Sequence, residues 1–490
     1  MSIITDSELQ ADASPVLNPI VLANGSELKL LNLVRKVPGK RLVYQAVWQD
    51  MAVYAKVFIG ENPQKYAQRD LQGIQRLLDA NILTPKILLN DVTADGAGYV
   101  LILEEISPAM NVEAVWNGLP LCSNQRLQIA LDLVTEIAKH HNAGLQQTDL
   151  YLKNFLLQEN WIFTLDGDGI KPLPKSNNGQ ICLRNLSALL SKFDVLEIEN
   201  WLPQLLKTYG KTRGWQTLPR LELMQHLIQL HRTKVANTYA DKKVFRTCTD
   251  VQVNANSNQY FAVARSYVGH EVLSDVKALD HFLLKPAFKS GNTCTVGLLN
   301  SIDAQKVVIK RYNVKSTWHG VMRSFRKTRA AASWANAHRL NLLGLPTAQP
   351  VSLLEERFFF GKLRAKSYFL SIYINAPDVD IFFAAERDIA KRSEAVKQIV
   401  ELFYRLYLLN ISHGDMKASN IKIVGNQPVL IDLDSMKQHR FVWFAIRSHA
   451  RDLRRFMRNW QADGDLTAEF KSMFNQVYKN RQPLKLAHIT

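Results

Sequence analysis

Cysteine is sparse in this 490-residue chain: its four cysteines, Cys122, Cys182, Cys248 and Cys294, lie far apart. Their positions exclude metal-type spacing and a dense disulfide framework, and they fit a reducing compartment. No apolar run reaches the length of a membrane span, so no transmembrane helix is predicted. Residues Met1 to Pro15 carry Asp6, Glu8 and Asp12 and no apolar stretch, which predicts no signal peptide. Acid is in deficit too, with 44 Asp and Glu against 61 Lys and Arg, a net charge of +17. From Ala304 to Leu354 there is none, while Lys306, Lys310, Arg311, Lys315, Arg323, Arg326, Lys327, Arg329 and Arg339 fall within that stretch. Such an excess favours an anionic partner. No nucleic-acid motif accompanies the charge, so nucleic acid is not the expected partner.

What the chain does have is one constellation written twice. The first copy in interest, not in order, is His413-Gly-Asp-Met-Lys-Ala-Ser-Asn420, followed by a strand, a turn at Gly425-Asn426 and a second strand, Val429 to Leu433, with Asp432 near its end. The second is Gln147-Thr-Asp-Leu-Tyr-Leu-Lys-Asn154, followed by Trp161-Ile-Phe-Thr-Leu-Asp166. Asp149, Asn154 and Asp166 have the same spacing as Asp415, Asn420 and Asp432, at an offset of 266 (415 − 149). One hairpin can aim three oxygen-bearing side chains at a point, which is what phosphoryl transfer from Mg²⁺·ATP requires. One Asp accepts the hydroxyl proton; an Asn and a second Asp hold the cation bridging the phosphates. Turn formers or helix caps would not repeat that spacing. A repeat this long implies duplicated domains, not a solenoid.

Both halves read in the order a kinase fold needs. In the first, Leu31 to Trp48 forms two strands around Pro38-Gly39-Lys40. Met51 to Phe58 is a third strand holding Lys56, whose ammonium needs an anion in that apolar setting. The helix Asn62 to Ala80 offers Asp70 where a longer Glu is usual, so a tight pair with Lys56 is not assumed. Tyr99 to Ile106 leads to a hinge, and a helix from Ser123 to Asn142 leads to the loop. In the second half, Gly291 is the single glycine of a stretch that reads as a phosphate loop or, more readily, a plain hairpin. Lys310 stands in the strand Lys306 to Tyr312, and a helix runs from Ser324 to Leu343. No acid lies in that helix, so either Lys310 draws one from elsewhere, such as Glu355 or Glu356, or the nucleotide site is a weakened one. Ser367 to Asn375 supplies the hinge strand, Ser393 to Leu408 the next helix, and Asp452 can tie the loop to the body. The expected fold is α+β: two tandem protein-kinase-like domains, each a small antiparallel-sheet N-lobe and a helical C-lobe. They are placed at 20–240 and 263–490, with the polar stretch 241–262 as connector.

Both halves resemble the lipopolysaccharide kinase family, bacterial relatives of eukaryotic-type protein kinases that phosphorylate heptose or Kdo sugars. The similar strings are Val307-Val-Ile-Lys310, Leu343-Gly-Leu-Pro346, His413 to Asn420, Ile431-Asp-Leu-Asp434 and Arg451-Asp-Leu-Arg-Arg-Phe-Met-Arg-Asn-Trp460, and in the first half Tyr54-Ala-Lys-Val-Phe58 and Thr148 to Leu157. The resemblance implies ATP and Mg²⁺ as cofactors and Asp149 and Asp415 as bases. It implies Asn154, Asp166, Asn420 and Asp432 as metal ligands, and Lys56 and Lys310 as phosphate binders. It further implies a lipopolysaccharide core or other anionic glycolipid as acceptor, at the cytoplasmic face of the inner membrane. Arginines interleaved with aromatics from Arg440 to Trp460 suit peripheral contact with such a surface, or equally a helix with a buried aromatic face. Which half works stays open, since one lacks the His and the other the helix acid. A pseudokinase scaffold of envelope assembly is an alternative, as is a protein or small-molecule kinase, although no activation segment ending in Ala-Pro-Glu is present.

Overall fold

The computed structural model describes residues 18–174, 176, 178–284, 288–291, 293–313, 327–358 and 363–489. The chain divides into two compact units, residues 1–228 and 229–490.

In the first unit the described residues form an antiparallel sheet in the order Ile20–Val21, Glu27–Val37, Arg41–Trp48, Met51–Phe58, Tyr99–Glu104, Ile87–Val92. The turn between the second and third of these uses Gly39 at φ 65°, a left-handed position that costs glycine nothing. Along Arg41–Trp48 the inner positions Tyr44, Ala46 and Trp48 are buried, the period of two expected of a sheet with one covered face. Tyr44, Val53, Val57, Val100 and Ile102 make one core, while Phe58, Leu101 and Leu103 pack on the helix Pro63–Asp79 through Ala67 and Ile74. Pro63 opens that helix where a missing N–H costs no bond. A helical lobe follows, built on Asn124–Asn142, Asn178–Leu190 and Val195–Arg213. The last of these starts in a capping box, with Asp194 and Glu197 satisfying each other's backbone.

The second unit repeats the plan. Its sheet has the order Val251–Ala255, Gln259–Ala264, Pro350–Phe358, Leu363–Ile372, Gln305–Tyr312, Cys294–Ile302, Lys289–Ser290 among the described residues. The stretch expected to be a connector therefore contributes structure: Val251–Ala255 is an edge strand of this sheet, paired to Gln259–Ala264 from Val251 opposite Ala264. Its low apolar content reflects an edge position, where one ladder partner suffices and the outer residues stay wet. The helix read from Ser324 begins at Arg329, with the Thr328 hydroxyl accepting from Ala331 N at 3.0 Å; residues 314–326 lie outside the described residues. The hairpin after the loop pairs Ile421–Val424 with Gln427–Leu430, so its second strand starts two residues and ends three residues earlier than read from the sequence.

The helices Ile389–Leu408, Val442–Met457 and Gly464–Val477 are bolted by aromatic contacts, with Phe403 4.9 Å from Phe456 and 5.7 Å from Phe474 between ring centroids. That packing fixes the helix carrying Asp452. Among the described residues no helix is long and apolar enough to cross a membrane.

Candidate active site

In the second unit, the loop that starts at His413 is held by its backbone. Buried Asp452 accepts from His413 N at 2.7 Å and Gly414 N at 3.0 Å. Burial pushes the Asp452 carboxyl up to about 6, against the pull of those two N–H groups. Gly414 sits at φ 83°, and a Cβ there would lie 2.7 Å from the Ser435 carbonyl oxygen, so only glycine fits. His413 donates from Nε2 to the Ile431 carbonyl at 2.9 Å, and burial lowers its pKa, keeping the ring neutral. This bond steadies the backbone just before Asp432, which adopts a left-handed φ of 59°. A non-glycine residue there stores strain, a common feature of functional turns.

Asn420 Nδ2 donates to the Asp415 carbonyl at 2.7 Å, and the Asn420 carbonyl accepts from Ile431 N at 3.0 Å. Loop and hairpin thus bring Asp415, Asn420 and Asp432 together. Asp415 Oδ1 is paired with Arg455, while Oδ2 lies 3.4 Å from Asn420 Nδ2 and 3.9 Å from Lys417 Nζ. A cavity of about 300 Å³ opens beside them, lined by Lys310, Asn420, Asp432, the hinge residues Tyr373 and Ile374, and Ile431 among others.

Lys310 does find its acid elsewhere, but not where expected. Its ammonium pairs with Asp432 and lies 3.3 Å from Asp434 Oδ2. Glu355 is committed to Thr328 at 2.7 Å and Arg357 at 3.0 Å. Burial works against the Lys310 charge, yet Tyr312, Asp432 and Asp434 raise its pKa above the lysine range. Asp434 is in turn pulled below the usual carboxylate range, against burial, by Lys310 and Arg329, the latter at 2.7 Å. Ser333 stands at the helix position of the missing acid. Three residues on, Asn336 donates to the Leu433 carbonyl at 2.9 Å, much as Gly73, three after Asp70, packs on the Gly167 carbonyl.

The first unit has the same skeleton with different electrostatics. Asn154 Nδ2 donates to the Asp149 carbonyl at 2.9 Å, and the Asn154 carbonyl accepts from Leu165 N at 2.8 Å. Asp166 is left-handed at φ 65°. The Lys56–Asp70 pair, left open by the shorter side chain, is tight: Lys56 Nζ lies 2.7 and 2.9 Å from the two Asp70 oxygens. The shorter Asp reaches because Gly73 and Gly167 let the helix close on the turn; a Cβ on Gly73 would meet the Gly167 oxygen at 1.8 Å. Arg41, which the sequence reading passed over, enters the same cluster. It lies 2.9 and 3.3 Å from the Asp166 oxygens and 3.1 Å from Asp70. Asp166 is thereby held far below the usual carboxylate range despite burial, by Lys56, Arg41 and Arg35.

Gly291 occupies the turn between the strands Lys289–Ser290 and Cys294–Ile302, where its carbonyl accepts from Asn313 at 3.3 Å. Phe288 and Val296, either side of it, line the cavity; Ala287 and Asn292 lie outside the described residues. Arg455, Asp434 and Arg329 were also missed. A signal did exist for one further pair: Arg184-Asn185-Leu186 repeats Arg451-Asp452-Leu453, with Asn in place of Asp. Asn185 donates to the Gln147 carbonyl at 2.8 Å instead of accepting from the loop N–H groups.

Two α+β units, each presenting an Asp–Asn–Asp set beside a strand lysine, make this a tandem kinase-like protein. The profile of the lipopolysaccharide kinase (Kdo/WaaP) family matches residues 56–168 and 286–478, more than half of the chain, and the chain belongs to that family. A solved structure of WaaP in complex with acyl carrier protein is similar at 17% identity and a TM-score of 0.31, over 43% of this chain and 90% of that one. Comparison with curated proteins finds no match.

Proposed function

We propose that the second unit transfers the terminal phosphoryl group of ATP to a hydroxyl of a lipopolysaccharide core sugar, heptose or Kdo. One observation carries the reading: the loop 413–420 separates two cavities of opposite chemistry. On the side of Ser419 and Asn420 is the cavity of about 300 Å³, with apolar walls from Val296, Val308, Phe369 and Ile431 suited to a purine and Lys310 suited to phosphates. On the side of Gly414 is one of about 630 Å³ lined by Lys437, Arg451, Arg454, Arg455 and Arg458. Five cations around a catalytic loop suit an acceptor that carries phosphate or carboxylate groups, as core glycans do.

Asp415 accepts the acceptor proton as the oxygen attacks phosphorus; the bond to the bridging oxygen breaks and ADP departs. Arg455 fixes one Asp415 oxygen, leaving Oδ2 for the proton. The residues fit a divalent cation: the Asn420 amide nitrogen is spent on Asp415, which frees its oxygen, and Asp432 lines the same cavity with a side chain 34% exposed. Among the described residues no cluster of three or more His, Cys, Asp or Glu could hold a metal; one carboxylate, one amide and phosphate oxygens form the sparse set that Mg²⁺ accepts. Bound there, the cation would neutralise charge on the phosphates.

The start of the helix Val442–Met457 supports work at a membrane surface. Phe441, Val442, Trp443 and Phe444 are each more than half exposed, with Arg447 stacked 3.7 Å over Trp443. Further along, Phe456 and Trp460 are core, as a helix with a buried aromatic face requires.

The test is transfer of labelled phosphate from ATP to core oligosaccharide. Asp415→Ala is expected to abolish it. If Asp149→Ala abolishes it instead, the assignment to the second unit is wrong.

A further inference from the structure

We infer that the first unit does not take up a divalent cation, because Arg41 is built into the cation's place. The inference rests on the reading that the Asn–Asp pair of the second unit is its cation site. In the first unit the matching pair is Asn154 and Asp166, and there the residues do not fit a metal. Both Asp166 oxygens are taken by the Arg41 guanidinium, at 2.9 and 3.3 Å, while Arg35 and Lys56 each lie 3.7 Å away. The Asp166 side chain is 12% exposed, against 34% for Asp432, which among the described residues is paired with Lys310 alone. A guanidinium cannot lose its proton to make way, and a dication entering beside it would meet like charge in a cleft with little water.

The cluster is also closed. Asp70 and Asp166 carry two negative charges, and Arg41 and Lys56 carry two positive ones. Asp70 Oδ1 accepts in addition from Gly167 N at 3.0 Å. Arg41 thus ties the sheet, the helix Pro63–Asp79 and the Asp166 turn together. The changes in this unit point the same way: Asn185 replaces the loop-holding Asp452. The first unit is therefore a metal-independent kinase-like module, locked by its own cation, and metal-dependent transfer by this chain belongs to the second.

The experiment counts bound Mn²⁺ by electron paramagnetic resonance on the full chain, with a non-hydrolysable ATP analogue present. The unmodified chain is expected to bind one ion and Asp432→Asn none. Adding Arg41→Ala to Asp432→Asn should create one new site, removable by Asp166→Asn, whereas Arg41→Lys should create none. An ion retained by Asp432→Asn and lost with Asp166→Asn would overturn the inference, as would no gain with Arg41→Ala. Failure of the second unit's cation site shows separately, as no difference between the unmodified chain and Asp432→Asn. Thermal melting of each variant, with and without Mn²⁺, confirms that the protein tested is folded.

Discussion

Gln147 and His413 make the same bond. Gln147 Nε2 donates to the Leu165 carbonyl at 3.2 Å, and His413 Nε2 donates to the Ile431 carbonyl at 2.9 Å. Each bond fixes the residue ahead of a left-handed Asp. What the position requires is a buried donor of a certain reach, and an imidazole or a carboxamide supplies it.

His413→Gln is therefore expected to keep most activity, within about fivefold of the unmodified chain. His413→Ala leaves the Ile431 carbonyl without its donor, a loss of about 1 kcal/mol or more that loosens Asp432 and lowers kcat roughly tenfold. Steady-state kinetics on both variants check this, with equal losses counting against the argument.

The two triplets were legible as positions because each falls in one short loop and hairpin, where spacing in sequence becomes position in space. The lysine strands were legible for the same local reason. Arg41 was not, because its contact with Asp166 spans 125 positions and is made only when a strand end meets a turn. Asp434 was hidden differently: the acid-free stretch 304–354 was correctly read, but Lys310 is served from Asp432 and Asp434 across the cleft. Polar composition misled at Val251–Ala255, since an edge strand with outward residues looks like a linker.

The cavity lined by Arg451, Arg454, Arg455 and Arg458 makes a prediction about affinity. Arg454 and Arg458 do not line the cavity beside Lys310 and Asn420. Arg454→Ala and Arg458→Ala are each expected to raise KM for an anionic core glycan roughly tenfold, the worth of one charge-assisted hydrogen bond, and to leave KM for ATP unchanged. Activity of the unmodified chain should fall with added salt and that of the double variant much less. Equal KM for dephosphorylated and phosphorylated glycans would count against the site.

The exposed aromatics at the start of Val442–Met457 predict binding to anionic vesicles. Trp443→Ser with Phe444→Ser removes two large side chains that the fold does not bury, so melting temperature should be unchanged. Partitioning onto vesicles with phosphatidylglycerol is expected to drop at least tenfold, since both apolar burial and the seat of Arg447 are lost. Sedimentation with neutral vesicles should show weak binding by both proteins.

Asp452 couples the loop to pH, with opposite signs for stability and activity. Its carboxyl is raised by burial to about 6, above the ordinary value of 3.8. As pH falls through 6 the folded protein takes the proton before the unfolded chain does, so this group makes the fold more stable between about 6 and 3.8. The protonated carboxyl, however, is a weaker acceptor for His413 N and Gly414 N, and the loop carrying Asp415 loosens. Activity should therefore fall below pH 6 while the Asp452 contribution to stability rises. Asp452→Asn copies the first unit's Asn185: its one oxygen can accept only part of what two charged oxygens accept, and kcat is expected to drop ten- to a hundredfold at pH 7.5 with KM for ATP little changed. In that variant the loss of activity near pH 6 should disappear, leaving a low, flat profile through that range. A variant whose kcat still falls through pH 6 as steeply as the unmodified chain would assign that limb to another group.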